Sequence, residues 1–252
     1  MDRFSDFYSC HRGQYVLLTA RQLRAGLLRL DVACRGGASV FPVGKLGGKQ
    51  RVVWNGTRVS EAAARPPAPP HLADPACFGM LDLASNLKLR VTKRDCRTWF
   101  DQLAVHEEVG RFFGRPRVTR AELLKAGLSI ADIRKAGGID AVDVFVPYSG
   151  VWPMGFSWSS CVAQSTLMGV CARAGLTQDY VLAADLPLPE DLSLAFAVAT
   201  DDLMIFSSGP EDVTTRAAEA VERVMAKHGV AKTPDKTYQC CLFFHVRWSR
   251  SG

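Results

Sequence analysis

An apolar stretch in the C-terminal half of the chain is interrupted by two adjacent carboxylates. Residues 193–212 read SLAFAVATDDLMIFSSGPED, in which Asp201 and Asp202 separate two short apolar runs. The pattern predicts a β-hairpin with strands over 194–200 and 203–207 and a turn at the two acids. Asp is common in turns because its short side chain bonds the nearby backbone, which accounts for the pattern without any function. A stiff hairpin can also hold carboxylates for a divalent cation, since Mg²⁺ favours hard oxygen ligands.

Hydrophobic spacing along the rest of the chain predicts alternating helices and strands. Helical spacing is found over 17–30, 78–89, 119–138 (a pair of short helices), 157–175 and 210–228. Strand patterns are found over 41–58 (a basic hairpin), 89–96, 142–149 and 238–248. The proline-rich stretch RPPAPPHLADP is incompatible with regular structure and separates two parts of the chain. The order of elements after it predicts an α+β fold, with helices packed on one face of an antiparallel sheet.

Composition narrows the classes of partner and environment. Of the 252 residues, 48% are hydrophobic, which is typical of a globular protein. The net charge of +6 favours a polyanionic partner. No apolar stretch reaches the roughly 18 residues that a membrane helix needs, and no apolar leader follows Met1, so we expect no membrane association. The eight cysteines form no C-x-x-C pair. We therefore expect reduced intracellular thiols rather than a zinc site, with cytoplasm and nucleus both open.

A third acid stands at the end of another predicted strand. Asp95 lies in KRDCRTWFDQL, near the end of the strand pattern over 89–96, which runs into a predicted helix. An Asp at such a place is often a helix N-cap. If its strand is a neighbour of the hairpin, however, Asp95, Asp201 and Asp202 meet. Three such carboxylates suit two Mg²⁺ ions about 3.5 to 4 Å apart, as in polymerase-type phosphoryl transfer.

Five blocks of the chain, from about Phe41 to Gln239, together resemble a reverse transcriptase in the family's order. They are the basic fingers hairpin VGKLGGKQRVVWNGTR, the first catalytic block KRDCRTWFDQL, the P-x-G turn and helix GVWPMGFSWSSCVAQ, the Asp-Asp hairpin FAVATDDLMIF, and HGVAKTPDKTYQ. Two positions depart from the family. Ala199 stands where a Tyr or Phe is usual, and Asn55 stands where an Asp is usual.

The resemblance implies an RNA-directed DNA polymerase of a retroelement, which extends a primer 3′-end with dNTPs on an RNA or DNA template using two Mg²⁺ (or Mn²⁺) ions. It implies that Asp95 and Asp201 bind both metals and that Asp202 assists. It implies these further roles: Lys45, Lys49 and Arg51 facing the triphosphate, Met154 and Gly155 lining the nucleotide pocket, Phe100 as the steric gate under the sugar, and Lys236 protonating or orienting the pyrophosphate.

The resemblance also implies a right-hand fingers and palm architecture with an absent or truncated thumb. The implied boundaries are an N-terminal extension or fingers (1–40), fingers with the basic hairpin (41–88), the first catalytic palm strand (89–104), a fingers insertion (105–146), palm (147–239) and the start of a primer grip (240–252). Other domains of a larger polyprotein are expected partners. Two alternatives stay open: an RNA-directed RNA polymerase with the same palm, and a decayed palm that binds nucleic acid without catalysis.

Overall fold

The computed structural model describes residues 5–48, 50–79, 88–231 and 238–243. Within these ranges the fold is α+β with small antiparallel sheets, as the hydrophobic pattern predicts. The helices are α1 (Ser5–Arg24), α2 (Thr57–Ala62), α3 (Pro75–Gly79), α4 (Glu107–Gly110), α5 (Arg120–Lys125), α6 (Ile130–Lys135), α7 (Ser159–Arg173) and α8 (Val213–Lys227). The strands are β1 (Leu28–Asp31), β2 (Val40–Gly44), β3 (Gln50–Trp54), β4 (Lys88–Asp95), β5 (Val118–Thr119), β6 (Val144–Ser149), β7 (Ala195–Ala199), β8 (Asp202–Ser207) and β9 (Tyr238–Phe243). No described helix is both long and apolar enough to cross a bilayer.

The chain divides into two compact units. The first unit contains residues 1–66 and 100–159, and the second unit contains residues 67–99 and 160–252. The boundary at residue 66 falls inside the proline-rich stretch, where the backbone has no regular structure. A run of prolines cannot donate backbone hydrogen bonds, so neither unit can extend a sheet or helix through it.

The first unit is built on a three-stranded sheet in the order β1-β6-β5, next to the β2-β3 hairpin. Its core is apolar and includes Leu28, Phe113, Leu123, Ile133 and Phe145, each almost completely buried. The short helices α5 and α6 each begin with a capping box, in which the cap hydroxyl and an acid three residues later satisfy each other's backbone amides. These local bonds explain why two helices of only six residues form where the sequence predicts a helix pair.

One predicted helix is wrong at both ends. The spacing over 17–30 suggests a single helix, but α1 ends at Arg24 and Leu28–Asp31 form β1 against β6. Gly26 adopts φ +73, a left-handed conformation that terminates helices and favours glycine. The alternation of buried Leu28 and Leu30 with Arg29 and Asp31 is a strand pattern that overlaps the helical one.

A bidentate ion pair ties α1 to α5 in the first unit. Arg12 Nη2 and Nε donate to the two Glu122 carboxylate oxygens at 2.6 and 2.7 Å. The hydrogen bond from Arg12 lowers the pKa of Glu122 to about 2, with further lowering by the Thr119 bonds. The folded state therefore favours the ionised carboxylate, and the pair is an acid-sensitive contribution to stability.

We expect Glu122→Gln to make the first unit less sensitive to acid. The stabilisation by ionised Glu122 is fully present above its ordinary pKa of 4.5 and is lost as the pH falls from there towards 2. Urea unfolding at pH 7, 4 and 2.5 measures this: the wild type should lose more free energy of unfolding across the series than the variant. Exposed Glu61→Gln is the matched control and should follow the wild type. Parallel losses in wild type and Glu122→Gln would contradict the role of the pair.

The second unit contains a four-stranded antiparallel sheet in the order β7-β8-β4-β9. Helix α8 packs against β4 and β8 on one face, burying Thr214, Ala218, Val221 and Met225. Side-chain contacts that join β4 to this helix include the bond from Thr92 Oγ1 to Thr214 Oγ1 at 2.9 Å and the bond from Arg94 Nε to Glu222 Oε1 at 2.6 Å. The buried stripe of α8 thus includes Thr214, which an apolar pattern alone does not identify.

The face of the sheet opposite α8 carries a separate apolar cluster. It contains Leu89, Ala195, Ala197 and Phe206, with Leu182 packed against them. Because side chains alternate along a strand, Asp95, Asp202 and Ala199 belong to this same face at its end. The fold therefore separates the acids from the helix-covered face.

Candidate active site

Asp95, Asp201 and Asp202, which we call the carboxylate corner, are brought together by strand pairing. Asp95 is the last residue of β4 and lies directly opposite Asp202, the first residue of β8. Residues opposite each other in an antiparallel pair have Cβ atoms about 4.5 to 5.5 Å apart on one face. The Cys96 backbone N–H donates to the Asp201 carbonyl at 3.0 Å, so the turn residue lies beside the end of β4. Asp95 is buried, at 7% exposure, while Asp201 and Asp202 are half-buried.

The thiol of Cys96 lies within electrostatic reach of all three acids. Burial raises the pKa of Cys96 to about 12, and the negative charges of Asp201, Asp95 and Asp202 contribute to the rise. The thiol is therefore protonated at neutral pH and adds no charge to the corner. Its chemistry is that of a small packing residue.

Lys93 gives the carboxylate corner one positive charge. Its Nζ donates to Asp202 Oδ2 at 3.0 Å, and both side chains are about one-third exposed. Lys93 precedes Asp95 by two positions on β4, which places the two side chains on the same face. Lys93 is not among the residues predicted from the sequence. Its position two residues before Asp95 in a predicted strand was the feature that could have identified it.

The hairpin turn lies one residue earlier than the sequence predicts. Ala199 pairs with Asp202, so the turn residues are Thr200 and Asp201 rather than the two acids. The Asp201 N–H donates to the Ala199 carbonyl at 2.8 Å around Thr200, whose φ is +61. This is a γ-turn with a positive central φ, a rare and strained form, and Thr is β-branched. Strain of this kind costs about 1 to 3 kcal/mol and persists only where the surroundings enforce it.

The side chain of Gln164 in α7 holds the strained turn. Gln164 is completely buried, and its Oε1 accepts the Thr200 N–H at 2.8 Å. Its Nε2 lies 3.1 Å from the carbonyls of Val198 and Pro70 and 3.2 Å from that of His71. One amide thus bridges the hairpin and the end of the proline-rich stretch. Gln164 closes the block GVWPMGFSWSSCVAQ, but its contact with the turn was not predicted; the signal was a lone amide within a helix of small and apolar residues.

The residues predicted to contact the nucleotide belong mostly to the first unit. Lys45 follows β2 and Arg51 is on β3 opposite Val43, and both basic side chains are exposed. The Met154 carbonyl accepts the Trp54 N–H at 2.9 Å, so the P-x-G turn is bonded to the end of β3. At Gly155, with φ +108, an added Cβ would stand 2.0 Å from the Trp54 carbonyl oxygen. Close backbone packing is therefore a sufficient reason for a glycine there.

The remaining predicted residues are less informative. Phe100 is half-buried in a short 3₁₀ turn over Trp99–Gln102 and belongs to the first unit, whereas the three acids belong to the second. Lys49 and Lys236 lie outside the described residues. The structure therefore brings the three predicted acids together in one unit and joins Met154 and Gly155 to the basic hairpin in the other.

The donor set of the carboxylate corner suits Mg²⁺ by its chemistry, because carboxylate oxygens are the ligands that this ion prefers. In the part of the chain that the structure describes, no three or more His, Cys, Asp or Glu side chains are gathered closely enough to hold a metal ion as they stand. One oxygen of Asp202 is instead bonded to the Lys93 ammonium. A metal bound here would compete with Lys93 for that carboxylate.

Comparison with protein-family models gives no match, and comparison with curated proteins gives no match either. The function of this chain must therefore be inferred from its own residues.

Proposed function

We propose that this chain is a template-dependent polymerase of the reverse-transcriptase type, which extends a primer 3′-end with dNTPs on an RNA or DNA template. One observation carries the proposal. Acids from two distant sequence blocks, Asp95 and the pair Asp201 and Asp202, converge at one end of an antiparallel sheet, where Asp95 and Asp202 lie on the face opposite helix α8. Convergence of separate acids is unexpected if Asp95 is only a helix cap and the pair only a turn.

The proposed reaction is in-line phosphoryl transfer, in which positioning and charge neutralisation carry most of the catalysis. Two Mg²⁺ ions, held by Asp95 and Asp201 with assistance from Asp202, would neutralise the phosphates and activate the primer hydroxyl. The protein's own contribution is to hold these carboxylates in place. Asp95 is fixed at the end of a central strand, and Asp201 is fixed by a turn that Gln164 bonds.

Other residues in each unit are compatible with a nucleic-acid or nucleotide substrate. Ala199 lies opposite Asp202, so only a methyl group stands where the resembling family carries an aromatic ring. In the first unit, Lys45 and Arg51 are exposed on the basic hairpin, and their positive charge is suited to a triphosphate or a nucleic-acid backbone. The net charge of +6 supports a polyanionic partner in general.

A second candidate function, a decayed palm that binds nucleic acid without catalysis, is favoured by the Lys93–Asp202 ion pair. An ammonium at 3.0 Å occupies an oxygen that a catalytic metal would need. Such a chain would retain the acids as part of a charge network and would gain nothing from added Mg²⁺. The two candidates therefore differ in metal dependence, which is measurable.

Primer extension with Mg²⁺ tests the proposal. We expect templated addition of dNTPs to a labelled primer, abolished by chelation and restored by Mg²⁺ or Mn²⁺. Running dNTPs and NTPs side by side measures the choice of sugar, for which Phe100 is the proposed gate. Preference for NTPs would favour the RNA polymerase alternative. Primer-template binding without extension under any metal condition would contradict the proposal and favour the decayed palm.

A further inference from the structure

Two short segments cover the outer edge of β7, the strand that leads into the carboxylate corner. Leu72 forms a parallel bridge with Val198, and the Ala73 N–H donates to the Val198 carbonyl at 2.9 Å. Earlier along the same edge, Val181 forms a parallel bridge with Phe196, whose carbonyl accepts the Leu182 N–H at 2.8 Å. We call these segments, residues 70–73 and 178–185, the edge clamp. They satisfy backbone groups of β7 that β8 does not reach.

His71 joins the two segments of the edge clamp. Its Nδ1 and its backbone N–H both lie against Asp185 Oδ2, at 3.0 and 3.1 Å, and its Nε2 lies 2.9 Å from Gln178 Nε2. An amide nitrogen only donates, so His71 Nε2 accepts and Nδ1 carries the proton that bonds Asp185. The imidazole is mostly buried, at 19% side-chain exposure, whereas Asp185 is 54% exposed. The backbone of His71 has φ +49, so these contacts hold a conformation that few non-glycine residues adopt.

Besides its backbone bonds to β7, the edge clamp is connected to the candidate catalytic turn through the side chain of Gln164. Gln164 Nε2 donates to the carbonyls of Pro70 and His71, and Gln164 Oε1 accepts the Thr200 N–H. The amide group of a glutamine is planar, so hydrogen bonds that hold its nitrogen also fix the position of its oxygen. The orientation of Gln164 therefore depends on the Val198 carbonyl of β7 and on the Pro70 and His71 carbonyls, which the contacts of His71 hold in place. The strained turn at Thr200 in turn depends on Gln164.

We propose that His71, bonded to Asp185 and Gln178, is a positioning residue for the carboxylate corner. It acts through Gln164 on the turn that carries Asp201, and it does not contact the reacting groups. Its role in catalysis rests on the proposed polymerase function, whereas its hold on the turn is a property of the fold alone. A shift of about 1 Å in a catalytic group can reduce a rate about a hundredfold, so a remote contact of this kind is sufficient to matter.

Amide hydrogen exchange tests the hold on the turn without any activity. We expect His71→Ala and Asp185→Ala to speed exchange of the Thr200 N–H by about tenfold or more, because its acceptor becomes mobile. The amide of Ile205, in the centre of β8, should be unchanged. Asp179→Ala is the matched control, since this acid lies on the same segment but accepts from the Thr177 hydroxyl, at 3.3 Å, and its loss should leave Thr200 protected. His71→Asn should rescue protection in part, because Asn tolerates positive φ and can still donate to Asp185.

Primer-extension kinetics of the same variants test the positioning role. We expect kcat to fall about ten- to a hundredfold in His71→Ala and Asp185→Ala, with the KM for nucleotide and primer-template affinity within about twofold of the wild type. A loss of general folding would instead remove binding and rate together. His71→Asn should recover most of kcat.

The outcomes separate this proposal from the proposed function. Unchanged Thr200 exchange in Asp185→Ala, with Ala73 deprotected, would overturn the hold on the turn. If His71→Ala speeds the exchange of Ile205 as well, the result for Asp185→Ala is used to test the hold on the turn, because that substitution does not alter the positive-φ residue of the clamp. Faster Thr200 exchange with normal kcat would overturn the positioning role. A wild-type protein that extends no primer would refute the proposed polymerase, while the exchange result would stand.

Discussion

Asp201→Asn is expected to reduce primer extension by about a thousandfold or more and to leave the fold intact. Removing one group that neutralises developing charge typically costs two to three orders of magnitude, and loss of a metal ligand removes more. The backbone bonds of Asp201 to Ala199 and Cys96 do not involve its side chain and remain in the variant. Asn is nearly isosteric and is as compatible with a turn as Asp. Single-turnover extension, with urea unfolding in parallel, measures both effects.

The matched control for Asp201→Asn is Asp212→Asn in the same unit. Asp212 is an exposed acid at the start of α8 and pairs with Arg216 at 3.2 Å. This exposed pair contributes little, so both activity and stability should stay close to the wild type. Substantial extension by Asp201→Asn would overturn the metal-binding role of the turn acid. Equal losses in both variants would show that the assay responds to acidic charge in general rather than to the carboxylate corner.

Gln164→Leu is expected to destabilise the second unit by about 2 to 4 kcal/mol and to remove extension activity. The substitution keeps most of the side-chain volume but leaves the half-buried Thr200 N–H and the carbonyls of Val198, Pro70 and His71 without this partner. A buried donor or acceptor that loses its partner costs about 1 to 3 kcal/mol. The strained turn at Thr200 would also lose the contact that enforces it. Urea unfolding gives the change in the free energy of unfolding.

Gln14→Leu provides the control for Gln164→Leu. Gln14 is an exposed helical glutamine of α1 in the first unit, so its substitution should change stability by no more than about 0.5 kcal/mol. A destabilisation below about 1 kcal/mol in Gln164→Leu would contradict the central role of the amide. Asp201→Asn and Gln164→Leu are expected to have different effects. Asp201→Asn should affect activity and not stability, whereas Gln164→Leu should affect both.

Local patterns in the sequence determined the elements of this protein. Two apolar runs separated by the acids predicted the hairpin, and the strand pattern over 89–96 predicted the strand that carries Asp95. Helical spacing over 119–138 predicted the pair of short helices, and in the structure each helix begins at a capping residue, Thr119 or Ser129, whose bonds involve neighbours three positions away. These signals are short-range, and together they were sufficient for the α+β class and for selecting the three acids as candidates.

Only the tertiary structure decided how these elements meet. The pairing of Asp95 with Asp202 depends on β4 and β8 lying side by side, and no local pattern specifies that register. The sequence placed the turn at the two acids because Asp favours turns. Long-range contacts moved it to Thr200 and Asp201, since Gln164 bonds the Thr200 amide and Asp202 is paired in the sheet.

The partners of the polar side chains around the candidate site were likewise decided by the fold. Gln164, Lys93 and His71 each find their partners on segments distant in sequence, and a side chain's hydrogen-bonding capacity does not reveal which segment will supply them. The residue types of the candidate site could thus be recognised in the sequence. The contacts that position them could not, because packing and sheet register bring those groups together only in the folded chain.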